Sequence, residues 1–162
     1  MKFRQLDFQK FDKKGNYALK EEYIFSCILS DGWTDRLLSL RIFIDIYYEC
    51  HGEICFYNRK KNENPKIERE LRFETPVEIK FLIDRLINQT ELQLKSHYSD
   101  FFLEDSDNLH FVINHNGISY NVGIAIMLKP LENPNECEKI IFLLQNEFKK
   151  LREEIYNKML LE

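Results

Sequence analysis

Apolar and polar positions alternate most clearly in "LLSLRIFIDIYYEC", residues 37–50. Leu38, Leu40, Ile42, Ile44, Ile46 and Tyr48 fall on one side, and Ser39, Arg41, Phe43, Asp45, Tyr47 and Glu49 on the other. Period two over such a length predicts a strand with one face on a core and the other largely wet. Strands usually run to about 5–6 residues, so this one is expected to bend, to twist strongly or to pair with another chain as well. Upstream, residues 22–29 read as a strand ending in an Asp31-Gly32 turn. Downstream, His51-Gly52 is expected to turn the chain into "EICFYNR". A polar loop, "KKNENPK", follows, and residues 67–73 alternate again.

The period then changes. "TPVEIKFLIDRLINQ" places Thr75 as N-cap, Pro76 at the first helical position and Glu78 as the partner in a capping box. Val77, Ile79, Phe81, Ile83, Leu86 and Ile87 give this helix a broad apolar side. "TELQLKSHY" alternates weakly and reads as a further strand. "LHFVINHNGISYNVGIAIML" predicts a hairpin, because Asn116-Gly117 suits the positive φ angles of a type I′ turn. A two-residue loop puts Phe111, Ile113, His115, Ile118, Tyr120, Val122, Ile124 and Ile126 on one buried face. Asn133-Pro134-Asn135-Glu136 repeats the helix-start signal. From there Ile140, Ile141, Leu144, Phe148, Leu151, Ile155 and Met159 step by three and four to about residue 160. The expected fold is α+β: an antiparallel sheet of about six to eight strands, with one central helix and a long C-terminal helix packed on one face. No internal repeat or linker interrupts residues 1–162, which read as a single domain.

Composition narrows the function classes. With 13 Phe and 8 Tyr among 162 residues there is ample core material, and a formal net charge of −4 is a poor match to nucleic acid, which binds through clustered Lys and Arg. No segment approaches the ~18 uncharged apolar residues of a membrane span, and the N-terminus lacks a signal-peptide apolar run. A cytoplasmic protein with free thiols at Cys27, Cys50, Cys55 and Cys137 is the expectation.

Candidate chemistry is sparse. In "YYECHGEICFY" a His51-Gly52 turn would set Cys50 opposite Glu53 and Cys55 opposite Tyr48, whereas a four-residue loop would bring the cysteines face to face. Zinc takes about four ligands, usually as two pairs at fixed spacing; this stretch offers Cys50, Cys55 and His51, to which Cys27 adds one if the register allows, and the paired spacing is missing. No metal or cofactor is expected. His110 and His115 lie on opposite faces of one strand, His97 stands alone, and no nucleophile, Walker or G-x-G-x-x-G motif accompanies them. No catalytic residues are assigned. "NRKKNENPK" lacks the glycine cradle or helix start that phosphate binding uses. "SDFFLEDSDN" departs from a calcium loop at Leu109 and His110. It gathers Asp100, Glu104, Asp105 and Asp107 beside Phe101 and Phe102, an acidic and aromatic surface suited to a basic protein partner.

The order of elements resembles that of small bacterial α+β immunity proteins, the cytosolic antidotes paired with polymorphic or contact-dependent toxins. The likeness rests on "DGWTDRLLSLRIFIDIYYECHGEICFY", "ELRFETPVEIKFLIDRLI", the strands around "LHFVINHNGISYNVGIAI" and the terminal helix, and covers most of the chain from residue 31. It implies a non-catalytic protein that binds a toxin domain and blocks it, with no particular residue carried over. The competing expectation is a small-ligand carrier with a cavity between a curved sheet and the C-terminal helix, where Tyr47, Tyr57 and Tyr120 would serve as polar handles. Whether the gap between helix and sheet is packed shut separates the two. A second identical chain is a further partner the pattern admits.

Overall fold

The computed structural model describes residues 9–11, 13–14, 16–31, 36, 38–56, 67–99, 108–125, 127 and 129–161. The elements run β1 (Gln9–Phe11), β2 (Tyr17–Leu19), β3 (Tyr23–Ser30), β4 (Ser39–Asp45), β5 (Glu49–Phe56), β6 (Ile67–Glu74), α1 (Val77–Ile87), β7 (His97–Tyr98), β8 (Asn108–His115), β9 (Ile118–Ile124) and α2 (Glu136–Leu161). Seven strands form one sheet in the order β6-β5-β4-β3-β8-β9-β7, and β1 and β2 make a separate ribbon. Every pair is antiparallel except β7 with β9. This is the α+β class expected, with the weakly alternating 90–98 segment reduced to a two-residue parallel edge.

Alternation decides which face is sealed. Leu40, Ile42 and Ile44 of β4, Phe25, Cys27 and Leu29 of β3, and Phe111 and Ile113 of β8 lie in one buried cluster with Ile79, Leu82, Ile83 and Leu86 of α1 and Ile140, Ile141, Leu144, Phe148 and Leu151 of α2. Phe148 stacks on Phe25 at 5.8 Å, with ring planes 1° apart, and lies against Phe111 at the same distance. At ~1.5 Å per residue the 26 residues of α2 reach across the sheet. Asp31, at the end of β3, ties that helix down: its oxygens meet Arg36 Nε at 2.6 Å and Arg152 Nη1 at 2.9 Å. Arg36 in turn pairs with Glu153 and lies 4.7 Å from the centre of the Tyr156 ring.

Three local expectations are corrected. First, residues 37–50 are not one strand. The chain turns at Ile46, Tyr47 and Tyr48, and β5 runs straight through His51-Gly52, pairing Phe43 with His51 and Ile42 with Gly52. Ile44 and Cys50 are an even number of positions apart, so the alternation stays in phase across the turn and hides it. Gly52 serves close approach: a Cβ there would sit 2.0 Å from the Arg41 carbonyl oxygen. Second, Thr75 does not cap α1. Its hydroxyl donates to the Tyr48 carbonyl at 2.6 Å, and the helix starts after Pro76 without a side-chain cap. Val77 and Phe81 point outward, 77% and 60% exposed. Third, the cap of α2 lies two residues later than expected. The Glu138 amide donates to Asn135 Oδ1 at 2.9 Å and the Asn135 amide to Glu138 Oε1 at 3.1 Å, a reciprocal capping box. The 116–117 turn is as expected, with φ of 51° and 77°.

A candidate interaction site at the β4–β5 turn

The outer face of the sheet is covered unevenly. Over β3, β8 and β9 it is roofed by β2, where Leu19 packs with Phe43 and Val112. Asn114 Nδ2 donates to the Tyr23 carbonyl at 2.8 Å, and Asn121 Nδ2 to that of Tyr17 at 2.7 Å. Leu19 and Tyr23 reach as far as Phe43 on β4, and over β5 and β6 no described element roofs it. There the register brings Arg41, Glu53 and Glu70 into one row, Phe43, His51 and Arg72 into the next, and Glu49 beside Glu74. Carboxylates from Asp45, Glu49, Glu53, Glu68, Glu70 and Glu74 outnumber the arginines, so this part of the face is acidic.

At its corner stands the β4–β5 turn, which is fixed from several directions. Asp45 Oδ1 accepts from the Tyr47 amide at 2.8 Å and the Glu49 amide at 3.0 Å. The Tyr48 amide donates to the Asp45 carbonyl and the Ile46 amide to that of Glu22. Tyr48 adopts a left-handed φ of 63°, a conformation costly for an aromatic residue. What holds it there is its carbonyl, which takes both the amide and the hydroxyl of Thr75, and its own hydroxyl, which donates to Asp84 on α1. Burial and that carboxylate push the Tyr48 phenol well above its ordinary range. Lys80 Nζ lies 5.0 Å from the Tyr48 ring centre. Between these clamped neighbours Tyr47 is 85% exposed and Ile46 50%. Tyr47, Glu74 and Lys80 help to line a hollow of ≈ 460 Å³ beside the turn.

Asp45, Glu49 and His51 offer donor atoms within 4.8 Å of one another. His51 Nε2 lies 2.9 Å from Asp45 Oδ2, and Arg72 grips both Glu49 oxygens at 2.6 and 3.1 Å. Burial pulls the Asp45 carboxyl up, but the hydrogen bonds from His51, Glu49 and Tyr47 outweigh it and hold it below the usual range. The Arg72 guanidinium holds Glu49 low as well. His51 and Arg72 tie these two carboxylates into one charge network.

The other residues singled out from sequence are scattered. Asp100, Phe101, Phe102, Glu104, Asp105 and Asp107 lie outside the described residues, as does Tyr57. Cys50 and Cys55 sit five apart on β5 and so face opposite sides; neither forms a disulfide. Burial pushes the Cys50 thiol up to about 11 and Cys27 well above its usual value, which leaves both poor nucleophiles. His97 meets Ser99 Oγ, His110 meets Asn121 Oδ1, and His115 meets the Gln89 carbonyl; His97 and His110 flank Gly123 in one row of the sheet, while His115 stands apart. Sequence reading missed the parts of the turn clamp. Its one available signal was Asp45, a residue type that bonds the amide two positions on and so marks turns.

Among the described residues no helix is long and apolar enough to cross a membrane. Comparison with known proteins returns no match, whether to a family model, a curated protein or a solved structure.

Proposed function

We propose that this chain is a non-catalytic cytoplasmic binding protein of the immunity kind, which recognises a toxin domain and neutralises it by covering it. The observation that carries the reading is Tyr47: a large aromatic side chain held out to solvent on a backbone that its neighbours have already fixed. Binding energy concentrates in aromatic anchors. Ordering a loop on binding costs affinity, and a clamped turn has little left to order. The acidic face beside it favours a basic partner surface, since complementary charge speeds encounter and fixes register. At the middle of the inner face Phe25, Phe111 and Phe148, each 0% exposed, fill the space where a carrier cavity would lie, and a hollow of ≈ 290 Å³ remains beside them between Leu29, Leu109 and Ile124 of the sheet and Gln145 and Lys149 of α2.

A small-ligand reading draws on one other feature. A mostly apolar groove of ≈ 600 Å³ runs along the flank of α2, lined by Met127, Leu131, Pro134, Phe142 and Leu143 with Lys129 and Lys139 beside them. The two readings separate in one experiment, calorimetric titration of the chain with the product of the gene directly upstream. Nanomolar binding that abolishes the partner's toxicity is the expected result. No heat at any concentration tested would overturn the antidote reading and turn attention to the groove.

A further inference from the structure

Independently of that reading, we propose that β6 is a pairing edge for a second copy of this chain, antiparallel about a two-fold axis through Leu71. β6 ends the sheet order, and among the described residues no strand pairs with its outer side. It is eight residues long, and its register with β5 is unbroken from Glu49↔Glu74 to Phe56↔Ile67. An open edge of that length is a template for another strand, and sheets that avoid pairing blunt it with charges, lysine above all, with proline, a bulge or a very short strand. "IERELRFE" has no proline, lysine or bulge and is not short; what it carries is five charges, Arg69 among them on the helix side.

Its charges are of both signs, and their order fits a copy of itself. A two-fold axis perpendicular to the sheet keeps the helix layers of both copies on one side, so it must pass through a residue rather than between two. Two such registers overlap most of the strand. The one centred on Glu70 sets that carboxylate against its own copy on the axis. The one centred on Leu71 sets Leu71 against its copy, Glu70 against the partner's Arg72, and Arg72 against the partner's Glu70. On the same face as Leu71 it places Arg69 opposite the partner's Phe73. The like-charged Glu68 and the partner's Glu74 meet only at the two ends, where water and salt screen them. Opposite charges directly across a seam favour pairing and like charges oppose it. An interface related by a two-fold axis satisfies each match twice.

The test is the mass in solution of the full chain by sedimentation equilibrium over a dilution series. Wild type should reach twice the 19.6 kDa of a single chain. E70R and R72E should each hold the mass at one chain, with far-UV circular dichroism unchanged. An equimolar mixture of the two should return to the dimer mass, because each E70R chain then faces an R72E chain with opposite charges restored. A check that needs no variant is hydrogen exchange of wild type, in which half of the β6 amides, those directed outward, should slow as concentration rises. A wild type that stays at one chain, a dimer indifferent to both substitutions, a mixture that stays monomeric, or β6 amides whose exchange ignores concentration would each overturn the pairing.

Discussion

The two faces of the sheet follow one alternation and end in opposite states. On the inner face two amphipathic helices meet the apolar rows, and the aromatic rings of Phe25, Phe111 and Phe148 interlock there. On the outer face, among the described residues, β2 roofs one side, while Glu70 and Glu74 of β6 stand toward solvent. Each face also carries an ion network. Asp31 and Arg152, with side chains 2% and 8% exposed, lock α2 to the end of β3. Glu49 and Arg72, 36% and 71% exposed, bridge β5 to β6. The chemistry is the same and the consequence differs, because a buried pair is costly to halve whereas an exposed one is worth little to stability. The inner face therefore holds the fold, and the outer face is left to be used.

The largest effects should come from breaking the inner face. Phe148→Ala removes the ring shared by Phe25 and Phe111 and should cost about 3–5 kcal/mol in urea denaturation. Asp31→Ala leaves Arg152 buried beside an empty position, and should cost about 3–5 kcal/mol by the same measurement. Gly52→Ala probes the contact between β4 and β5; with no room for a Cβ, the backbone must shift, and a loss of about 1–3 kcal/mol is expected.

Acid sharpens the comparison from the other side. Asp45 and Glu153 are both held below their ordinary carboxyl values, Asp45 despite its burial and Glu153 first by its hydrogen bond to Arg36. A carboxyl lowered by folding stabilises the native state above its unfolded pKa, and that stability is lost as pH falls through its folded value. The urea midpoint should thus fall below about pH 4, and Asp45→Asn should flatten that fall while lowering the midpoint near neutrality. A slope unchanged by the substitution would remove Asp45 from the account.

Much of the fold was legible because long elements follow simple periods. β3, β6, the β8–β9 hairpin with its Asn116-Gly117 turn, and the buried row of α2 all stand where alternation or helical spacing puts them. What was hidden is decided by contacts between segments distant in sequence. Thr75 reads as a helix cap, yet the Tyr48 carbonyl claims its hydroxyl. The β4–β5 turn stays in phase with the strands it joins, so no break in pattern marks it. Val77 and Phe81 count toward an apolar stripe in sequence but lie outside the arc that meets the sheet. The candidate site was least legible, since its central residue, Tyr47, carries no motif and matters only because of how its neighbours are held.

Tyr47→Ala should have the smallest effect on the fold and the largest on recognition. Removing a side chain that is 85% exposed should leave the unfolding free energy within about 0.5 kcal/mol of wild type. The most direct measurement is a pair of calorimetric titrations with the upstream gene product, wild type against Tyr47→Ala. The account predicts tight binding by wild type, weakened at least about tenfold by the substitution, as expected for an aromatic anchor. Equal affinity in the two titrations would contradict it and place the binding surface elsewhere on the molecule.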